Sequence, residues 1–331
     1  MKKIRVAING FGRIGRVTCR VMLQRKNIEI VAVNDLADTA TLAHLLKYDS
    51  VHGVMDSSVK AEGDELIIDE TKIKVLGEKD PSNLPWKDLA IDIVIESTGL
   101  FLTQELAQKH IYAGARKVIL SAPPKTKSIK TVVFGVNDKI ITEDDVIISN
   151  ASCTTNCAAP LIKVLDENWG LEDGFITTVH SYTGDQRLHD APHKDLRRAR
   201  AAAMSIVPTS TGAAKAITKI FPHLHGKLGG CGIRVPVPDG SLTDITCVLS
   251  KPVTREQINQ AFKSASQHEL STVLDYTEDP IVSIDIVDNP NSCIFDAGFT
   301  TVVGNMVKVM GWYDNESGYS YRLADLAERF Y

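Results

Sequence analysis

Residues 4–16 of this chain read IRVAINGFGRIGR, and this stretch decides the fold of the first half of the molecule. Ile4–Ile8 has the length and composition of a buried strand, and the segment after the glycines has a helical pattern. Between them Gly10, Gly12 and Gly15 form the pattern G-x-G-x-x-G. Such glycines allow a tight turn, close approach of a pyrophosphate to the backbone, and close packing of the helix on the strand. The order of strand, glycines and helix predicts a dinucleotide-binding fold.

A second strand follows and ends beside an acidic residue. The apolar run Ile28–Val33 leads to Asp35, which lies 20 residues beyond Gly15. A carboxylate at this spacing accepts hydrogen bonds from the ribose 2′-hydroxyl of NAD and would repel the 2′-phosphate of NADP. The sequence therefore predicts NAD as the cofactor.

Short apolar runs alternate with helical segments as far as about residue 150. The runs at 91–95, 117–120 and 131–136 are continuously apolar, as strands covered on both faces tend to be, and 103–110 has helical periodicity. This alternation predicts an α/β fold, a Rossmann-type doubly wound parallel sheet. Ligands bind at the strand ends of such sheets, which makes Ser121 a candidate cofactor residue.

The pattern changes after residue 153. Longer alternating runs and one amphipathic segment at 256–266 predict an α+β catalytic domain with a largely antiparallel sheet. The predicted strands lie at 175–180, 233–237, 243–249, 282–286 and 306–313.

Two domains follow from this change of pattern. We predict an NAD-binding domain over residues 1–152, completed by a C-terminal helix at 315–331, and a catalytic domain over residues 153–314. A length of 331 residues is ample for two cores.

A cysteine lies where the last predicted strand of the first domain gives way to a helix. The segment 151–157 reads ASCTTNC, with the apolar run 146–148 before it and another after it. Cys153 would therefore face the positive end of a helix dipole, which favours the thiolate, the form that attacks carbonyl carbon. The alternative is a buried structural cysteine, which is the interpretation we favour for Cys157.

A histidine is the natural base for such a nucleophile. His180 ends a strand-like run and precedes a polar loop, so its side chain can point into a cleft. His189 and His193 lie in the loop itself and stay alternatives.

Composition excludes several classes of function. The net charge is −4, from 37 basic and 41 acidic residues, so no global field favours nucleic acid or an anionic membrane. The six cysteines are scattered without metal-ligand spacing, which predicts reduced thiols and no metal site. We expect a cytoplasmic protein.

These motifs give the chain a resemblance to the phosphorylating glyceraldehyde-3-phosphate dehydrogenase family over essentially its whole length. The blocks that carry it are INGFGRIGR at 8–16, VNDL at 33–36, LKYDSVHG at 46–53, SNASCTTNC at 149–157, TTVHSYT at 177–183, HKDLRRARAAA at 193–203, STGAAKA at 210–216, RVPVP at 234–238 and WYDNESGYS at 312–320.

The resemblance implies a role for each matching residue. Cys153 corresponds to the nucleophile and His180 to the histidine that activates it. The residues that the resemblance places around the substrate and inorganic phosphates are Ser152, Thr154, Thr183, Arg198, Thr211, Gly212 and Arg234. Those that it places around NAD are Gly10, Phe11, Gly12, Arg13, Ile14, Gly15, Asp35, Lys79, Ser121 and Asn315.

The resemblance also implies the reaction and the assembly. Glyceraldehyde 3-phosphate would form a hemithioacetal on the cysteine, pass a hydride to NAD, and leave as 1,3-bisphosphoglycerate after attack by inorganic phosphate, a step of glycolysis and gluconeogenesis. Members are homotetramers, in which the loop from about residue 180 to 203 reaches the cofactor of a neighbouring subunit.

Three alternatives stay open at this point. Erythrose-4-phosphate dehydrogenase resembles the family closely but passes its thioester to water. Ala191–Pro192 stands where many NAD-dependent relatives have a bulkier apolar residue, which leaves the strictness of the NAD preference open. The protein could also serve mainly as a binding or adhesive partner.

Overall fold

The computed structural model describes residues 3–331, and the chain divides into two compact units. The first holds the described residues up to Val132, then Lys139–Ala151 and Ser320–Tyr331. The second holds Val133–Asp138 and Ser152–Tyr319. The predicted domain bounds differ from this division chiefly at residues 133–138 and 315–319.

The first unit contains a nine-stranded sheet, a separate two-stranded sheet, and helices between the strands. Its strands are β1 (Ile4–Asn9), β2 (Ile28–Asn34), β3 (Tyr48–Asp49), β4 (Gly53–Val54), β5 (Val59–Glu62), β6 (Glu65–Ile68), β7 (Thr71–Leu76), β8 (Ile93–Glu96), β9 (Lys117–Leu120), β10 (Lys130–Thr131) and β11 (Ile147–Ser149). Its internal helices are α1 (Arg13–Leu23), α2 (Thr39–Lys47) and α3 (Gln104–Tyr112).

The strand order of this sheet confirms the doubly wound prediction. Across the sheet the order is β10, β11, β9, β8, β1, β2, β7, β6, β5, and the strands from β10 to β7 run parallel to their neighbours. Strand β2 pairs with one side of β1, and β8, which comes later in the chain, pairs with the other side. Ligands bind at the carboxyl ends of strands where the order reverses in this way. Strands β5 and β6 extend the sheet antiparallel, an addition that the apolar pattern did not reveal.

Glycine makes the turn from β1 into α1 possible. Gly10 has φ of +91°, and a Cβ on it would lie 2.6 Å from the backbone nitrogen of Thr98. A Cβ on Gly15 would lie 2.2 Å from the carbonyl oxygen of Gly10. No atom lies within 4 Å of a Cβ built on Gly12. Two of the three glycines are therefore required by the protein's own packing, and the third leaves open space at the start of α1.

A buried carboxylate ties together the strand ends on which this turn rests. Glu96 Oε2 accepts hydrogen bonds from Asn9 Nδ2 at 2.6 Å and from His110 Nε2 at 2.9 Å. Its Oε1 accepts the backbone N–H of Thr98 at 2.8 Å. Trp86 Nε1 donates to His110 Nδ1 at 3.0 Å, which leaves the imidazole proton on Nε2, facing the carboxylate. These hydrogen bonds satisfy the oxygens of the Glu96 side chain, as full burial of a polar group requires.

The second unit contains a mainly antiparallel sheet with helices packed on it. Its elements are α4 (Cys153–Trp169), β12 (Leu171–Ser181), β13 (Val207–Thr209), α5 (Ala213–Ile220), β14 (Leu228–Val235), β15 (Ser241–Leu249), α6 (Arg255–Gln267), β16 (Leu274–Thr277), β17 (Cys293–Asp296), β18 (Thr301–Val303) and β19 (Met306–Tyr313). The last helix, α7 (Ser317–Phe330), begins in the second unit, and its residues from Ser320 onward belong to the first.

Strand β12 is an interior strand of this sheet and pairs with β14 and β15. The order is β13, β14, β12, β15, β19, β17, β16, with β18 paired to β19, and the pairs are antiparallel except β12 with β14 and β16 with β17. The largely antiparallel prediction is confirmed. Helix α4 packs on β15, β17 and β19 through buried side chains such as Leu161 and Leu165.

Two predicted strands are wrong. The run 131–136 is a strand only at Lys130–Thr131, because Gly135 has φ of +78° and the Asn137 side chain accepts the N–H of Val133 at 2.7 Å, which closes a turn. The run 282–286 contains a 3₁₀ turn, Ser283–Ile286, capped by the Asp285 carboxylate. In both runs, local hydrogen bonds to polar side chains decide the backbone against the pattern of apolar residues.

No helix within residues 3–331 combines the length and the hydropathy needed to cross a bilayer.

We predict that Gly15→Ala destabilises the protein by about 2 kcal/mol or more, because its methyl group would overlap the Gly10 carbonyl and force the turn to move. Gly12→Ala, the matched control, should cost less than about 1 kcal/mol because its methyl group meets open space. Urea unfolding of both variants checks this. Equal losses would contradict the assignment of Gly15 to helix packing.

Candidate active site

Cys153 is the first residue of α4. The chain reaches it through Ala151, whose φ of +55° is unusual for a residue with a side chain, and through Ser152, the N-cap. Ser152 Oγ accepts the N–H of Thr155 at 3.1 Å. The predicted strand-to-helix junction is therefore present, and it holds the thiol at the amino end of a 17-residue helix.

His180 lies against this thiol. It is the penultimate residue of β12, and its Nε2 is 3.4 Å from Cys153 Sγ. Its Nδ1 lies 2.8 Å from the carbonyl oxygen of Ser181, which fixes the ring plane. Of the histidines proposed from the sequence, His193 instead bonds to Asp195 and His189 is exposed. The structure thus brings the predicted nucleophile and the predicted base together.

Arg234 joins this pair from the neighbouring strand. It is the register partner of His180 on β14, and its Nη1 donates to the Ser181 carbonyl at 2.9 Å and lies beside His180 Nδ1. The guanidinium is therefore within hydrogen-bond distance of the base.

Burial dominates the titration of the pair. Burial raises the pKa of Cys153 to about 11, although Arg234 and the hydrogen bonds of Thr154 lower it. Burial and Arg234 lower the pKa of His180 to about 3. Desolvation therefore opposes the thiolate that the helix end and Arg234 favour. His180 Nε2, 3.4 Å from the sulfur, is placed to accept the thiol proton.

Hydrogen-bond donors for anions surround the pair. Arg198 Nε and Nη2 donate to Thr209 Oγ1 at 3.0 and 2.8 Å, and its Nη1 pairs with Asp185. Thr183 Oγ1 donates to the same carboxylate. Asp185 and Thr209 were not identified from the sequence, where they read as ordinary polar loop residues.

The segment before α5 offers a second anion-binding feature. Gly212 is the N-cap of this eight-residue helix, has no side-chain cap, and leaves open space around its Cα. Thr211 Oγ1 accepts the N–H of Ala213 at 3.2 Å. Backbone N–H groups at a helix start suit a phosphate.

Thr154, which the resemblance places near the bound phosphates, contacts Tyr313 through its side chain. It is buried, and its hydroxyl bonds to Tyr313 OH at 2.9 Å. Thr178 Oγ1 bonds to the same phenol at 2.8 Å. The Tyr313 ring meets the His180 ring edge-on, with centroids 5.9 Å apart. Thr154 therefore contacts the Cys153–His180 pair indirectly, through the Tyr313 ring that packs against His180.

Asn315 is held in one orientation. Its Oδ1 accepts hydrogen bonds from Ser181 Oγ at 2.8 Å and Ser241 Oγ at 2.6 Å. The carbonyl side of the amide is therefore occupied, and the NH₂ group is the side directed away from these hydroxyls. The two serines were missed in the sequence, where nothing distinguishes them from turn residues.

The first unit carries the residues expected to hold NAD. Asp35 Oδ2 accepts the N–H of Phe11 at 2.8 Å, which places the carboxylate beside the glycine turn. Gly12 is exposed at the uncapped start of α1. A carboxylate for ribose and an open helix start for pyrophosphate therefore lie together, and these residues fit the dinucleotide.

The other predicted cofactor residues lie around this turn or along the same sheet edge. Arg13 Nη2 pairs with Asp49 at 3.0 Å, and Ile14 is partly buried in the first turn of α1. Ser121 follows β9, with its N–H bonded to the Glu96 carbonyl at 2.9 Å, and Lys79 is exposed just after β7.

We predict that Tyr313→Phe destabilises the protein by about 1–3 kcal/mol, because it leaves the buried hydroxyls of Thr154 and Thr178 without the phenol oxygen. Tyr276→Phe is the control, since that phenol bonds to an exposed glutamate, and it should change stability by less than about 0.5 kcal/mol. Urea unfolding measures both. An unchanged midpoint for Tyr313→Phe would show that the network is not structural.

Comparison with known proteins agrees with this geometry. The model of the family described as glyceraldehyde 3-phosphate dehydrogenase, NAD binding domain, matches residues 4–104, and that of the C-terminal domain matches residues 152–315. The chain is 56% identical to glyceraldehyde-3-phosphate dehydrogenase 2 of Streptomyces avermitilis over 326 residues, which span 98% of this chain and 97% of the relative.

Two further relatives give the same result. Identity is 56% over 330 residues to glyceraldehyde-3-phosphate dehydrogenase of Mycobacterium avium and 55% over 326 residues to that of Geobacillus stearothermophilus, with 98% of this chain and 97% of the relative covered in both cases. The resemblance inferred from the motifs is confirmed, and the chain belongs to the glyceraldehyde 3-phosphate dehydrogenase family.

Proposed function

We propose that this protein is a phosphorylating, NAD-dependent glyceraldehyde-3-phosphate dehydrogenase of glycolysis and gluconeogenesis. The observation that carries the proposal is the 3.4 Å contact between Cys153 Sγ and His180 Nε2 at the start of a helix. A nucleophile and a base in hydrogen-bond contact are what attack on an aldehyde requires.

Cys153 begins the reaction. As its sulfur attacks the aldehyde carbon, the neutral imidazole of His180 takes the thiol proton and can return it to the oxygen of the hemithioacetal. The Ser181 carbonyl, 2.8 Å from Nδ1, holds the ring toward the sulfur during both transfers.

Oxidation of the hemithioacetal needs a hydride acceptor and a base. When bound, NAD would supply the acceptor, and the glycine turn and Asp35 would hold it. His180 removes the hydroxyl proton of the hemithioacetal, and a thioester on Cys153 results. The NH₂ group of Asn315 is oriented by two serine hydroxyls and suits a carboxamide oxygen.

Two anions must be held near one sulfur. Arg234 and Thr183 would bind the phosphate of the substrate, and Arg198, Ser152, Thr211 and Gly212 the inorganic phosphate that attacks the thioester. A guanidinium can bind phosphate through two parallel hydrogen bonds, which suits both arginines. Attack by phosphate releases 1,3-bisphosphoglycerate and restores the thiol of Cys153.

The assembly and location are part of the proposal. The segment after β12 exposes large apolar side chains, among them Leu188 at 74%, Leu196 at 81% and Met204 at 82%. An exposed apolar group of this kind supports a homotetramer in which this segment is covered by a neighbouring subunit. The six cysteines are free thiols, which supports a cytoplasmic location.

NADH formation from glyceraldehyde 3-phosphate tests the proposal directly. We expect turnover with NAD that depends on inorganic phosphate, and loss of turnover in Cys153→Ser, which removes the nucleophile while leaving the NAD-binding residues intact. Absorbance at the NADH band measures the rate, and calorimetric titration with NAD is the control for an intact cofactor site.

Each other outcome has a defined meaning. Turnover without phosphate would indicate the hydrolytic reaction of erythrose-4-phosphate dehydrogenase. Retained turnover in Cys153→Ser would contradict the assignment of Cys153 as the nucleophile. Absence of turnover in the unaltered protein would favour the binding-protein alternative.

Asp35 should decide the choice between the two dinucleotides. Its carboxylate accepts the Phe11 N–H beside the glycine turn and would repel a 2′-phosphate. We expect Asp35→Ala to reduce the ratio of kcat/KM for NAD to that for NADP by about tenfold or more. An unchanged ratio would shift attention to Ala191, in the loop after β12.

A further inference from the structure

One carboxylate in the second unit occupies donors that belong to both proposed phosphate sites. Asp185 Oδ1 accepts the hydroxyl of Thr183, assigned above to the substrate phosphate. Asp185 Oδ2 pairs with Nη1 of Arg198, assigned to the inorganic phosphate. The Asp185 carboxylate therefore occupies one hydrogen-bond donor of each proposed phosphate site.

The guanidinium of Arg198 is fixed by its other edge. Nε and Nη2 donate to Thr209 Oγ1 at 3.0 and 2.8 Å, so Nη1 is the arm directed at Asp185. A second carboxylate, Asp195, lies 3.7 Å from Nε and accepts the backbone N–H of Arg197 at 2.9 Å. Asp195 therefore supports the loop from the edge away from Thr183.

Asp185 is charged and able to leave. Although burial raises the pKa of its carboxyl, the Thr183 hydrogen bond and the charges of Arg234 and Arg198 lower it below the ordinary value. Its side chain is 43% exposed, compared with 21% for Arg198. Because Thr209 also holds Arg198, the carboxylate can rotate away while the arginine stays in place.

We propose that Asp185 is an internal anion that occupies both phosphate sites in the free enzyme and is displaced when phosphate binds. This inference rests on the function proposed above and adds a residue that sets the affinity for phosphate. Inorganic phosphate would replace the carboxylate on Nη1 of Arg198, and the substrate phosphate would replace it on the hydroxyl of Thr183.

The test is Asp185→Asn, which keeps the size of the side chain and removes its charge. We expect KM for inorganic phosphate to fall about fivefold, as expected for loss of a partly exposed ion pair that competes with the ligand. The inhibition constant of sulfate, measured against phosphate, should fall in parallel. kcat at saturating phosphate should change less than KM, because the carboxylate has left the site when phosphate is bound.

Asp195→Asn is the matched control. It removes the same charge from the other edge of Arg198, so KM for phosphate should change by less than about twofold. Asp185→Glu restores a carboxylate and should return KM toward the unaltered value. Asp185→Ala should behave like Asp185→Asn, which guards against an effect of the new amide.

Three results would overturn the proposal. A higher KM for phosphate in Asp185→Asn would mean that the carboxylate holds Arg198 in place for the ligand. An equal fall of KM for phosphate in Asp195→Asn would show that net charge, and not the position of Asp185, determines KM. An unchanged KM would show that phosphate does not compete with Asp185. Failure of the function itself is separate, because the unaltered protein would then form no NADH at any phosphate concentration.

Discussion

The candidate site depends on the register of β12 with its two neighbours. Pairing with β14 sets His180 beside Arg234, and pairing with β15 sets Val179 opposite Leu242, the residue after Ser241. A slip of one residue would turn His180 to the opposite face, because side chains alternate along a strand. The hydrogen-bonded ladder therefore fixes which side chains face the thiol before any of their own contacts form.

The surroundings of the thiol shape its chemistry as much as its partners do. A helix end and Arg234 favour the thiolate, whereas burial raises the pKa of Cys153 and lowers that of His180, so desolvation opposes charge on both partners. A buried phenol, Tyr313, packs edge-on against the imidazole and binds two threonine hydroxyls, which keeps the pair rigid.

Sequence patterns predicted the elements well where one period covered a whole element, as in β1, α1 and β12. They failed where a few polar groups controlled the backbone. The run 131–136 is apolar throughout but turns at Gly135 and Asn137, and the run 282–286 alternates but is capped by Asp285. In the site, the motif residues were predicted, whereas Asp185, Ser241 and Tyr313 were not. Ser241 and Tyr313 act through contacts with residues far away in the chain, and Asp185 acts through its pairing with Arg198, which no motif indicates.

The sequence by itself determined the doubly wound and antiparallel sheets, the glycine turn with Asp35, and the family. These follow from local periodicity and from residues that lie next to one another in the chain, so no tertiary contact is needed to recognise them. Only the tertiary structure decided which histidine meets Cys153, which way Asn315 points, how burial shifts the pKa of the thiol, and that Asp185 bridges Thr183 and Arg198. Those properties depend on distances between separate strands and on exclusion of water, and neither is written in the order of residues.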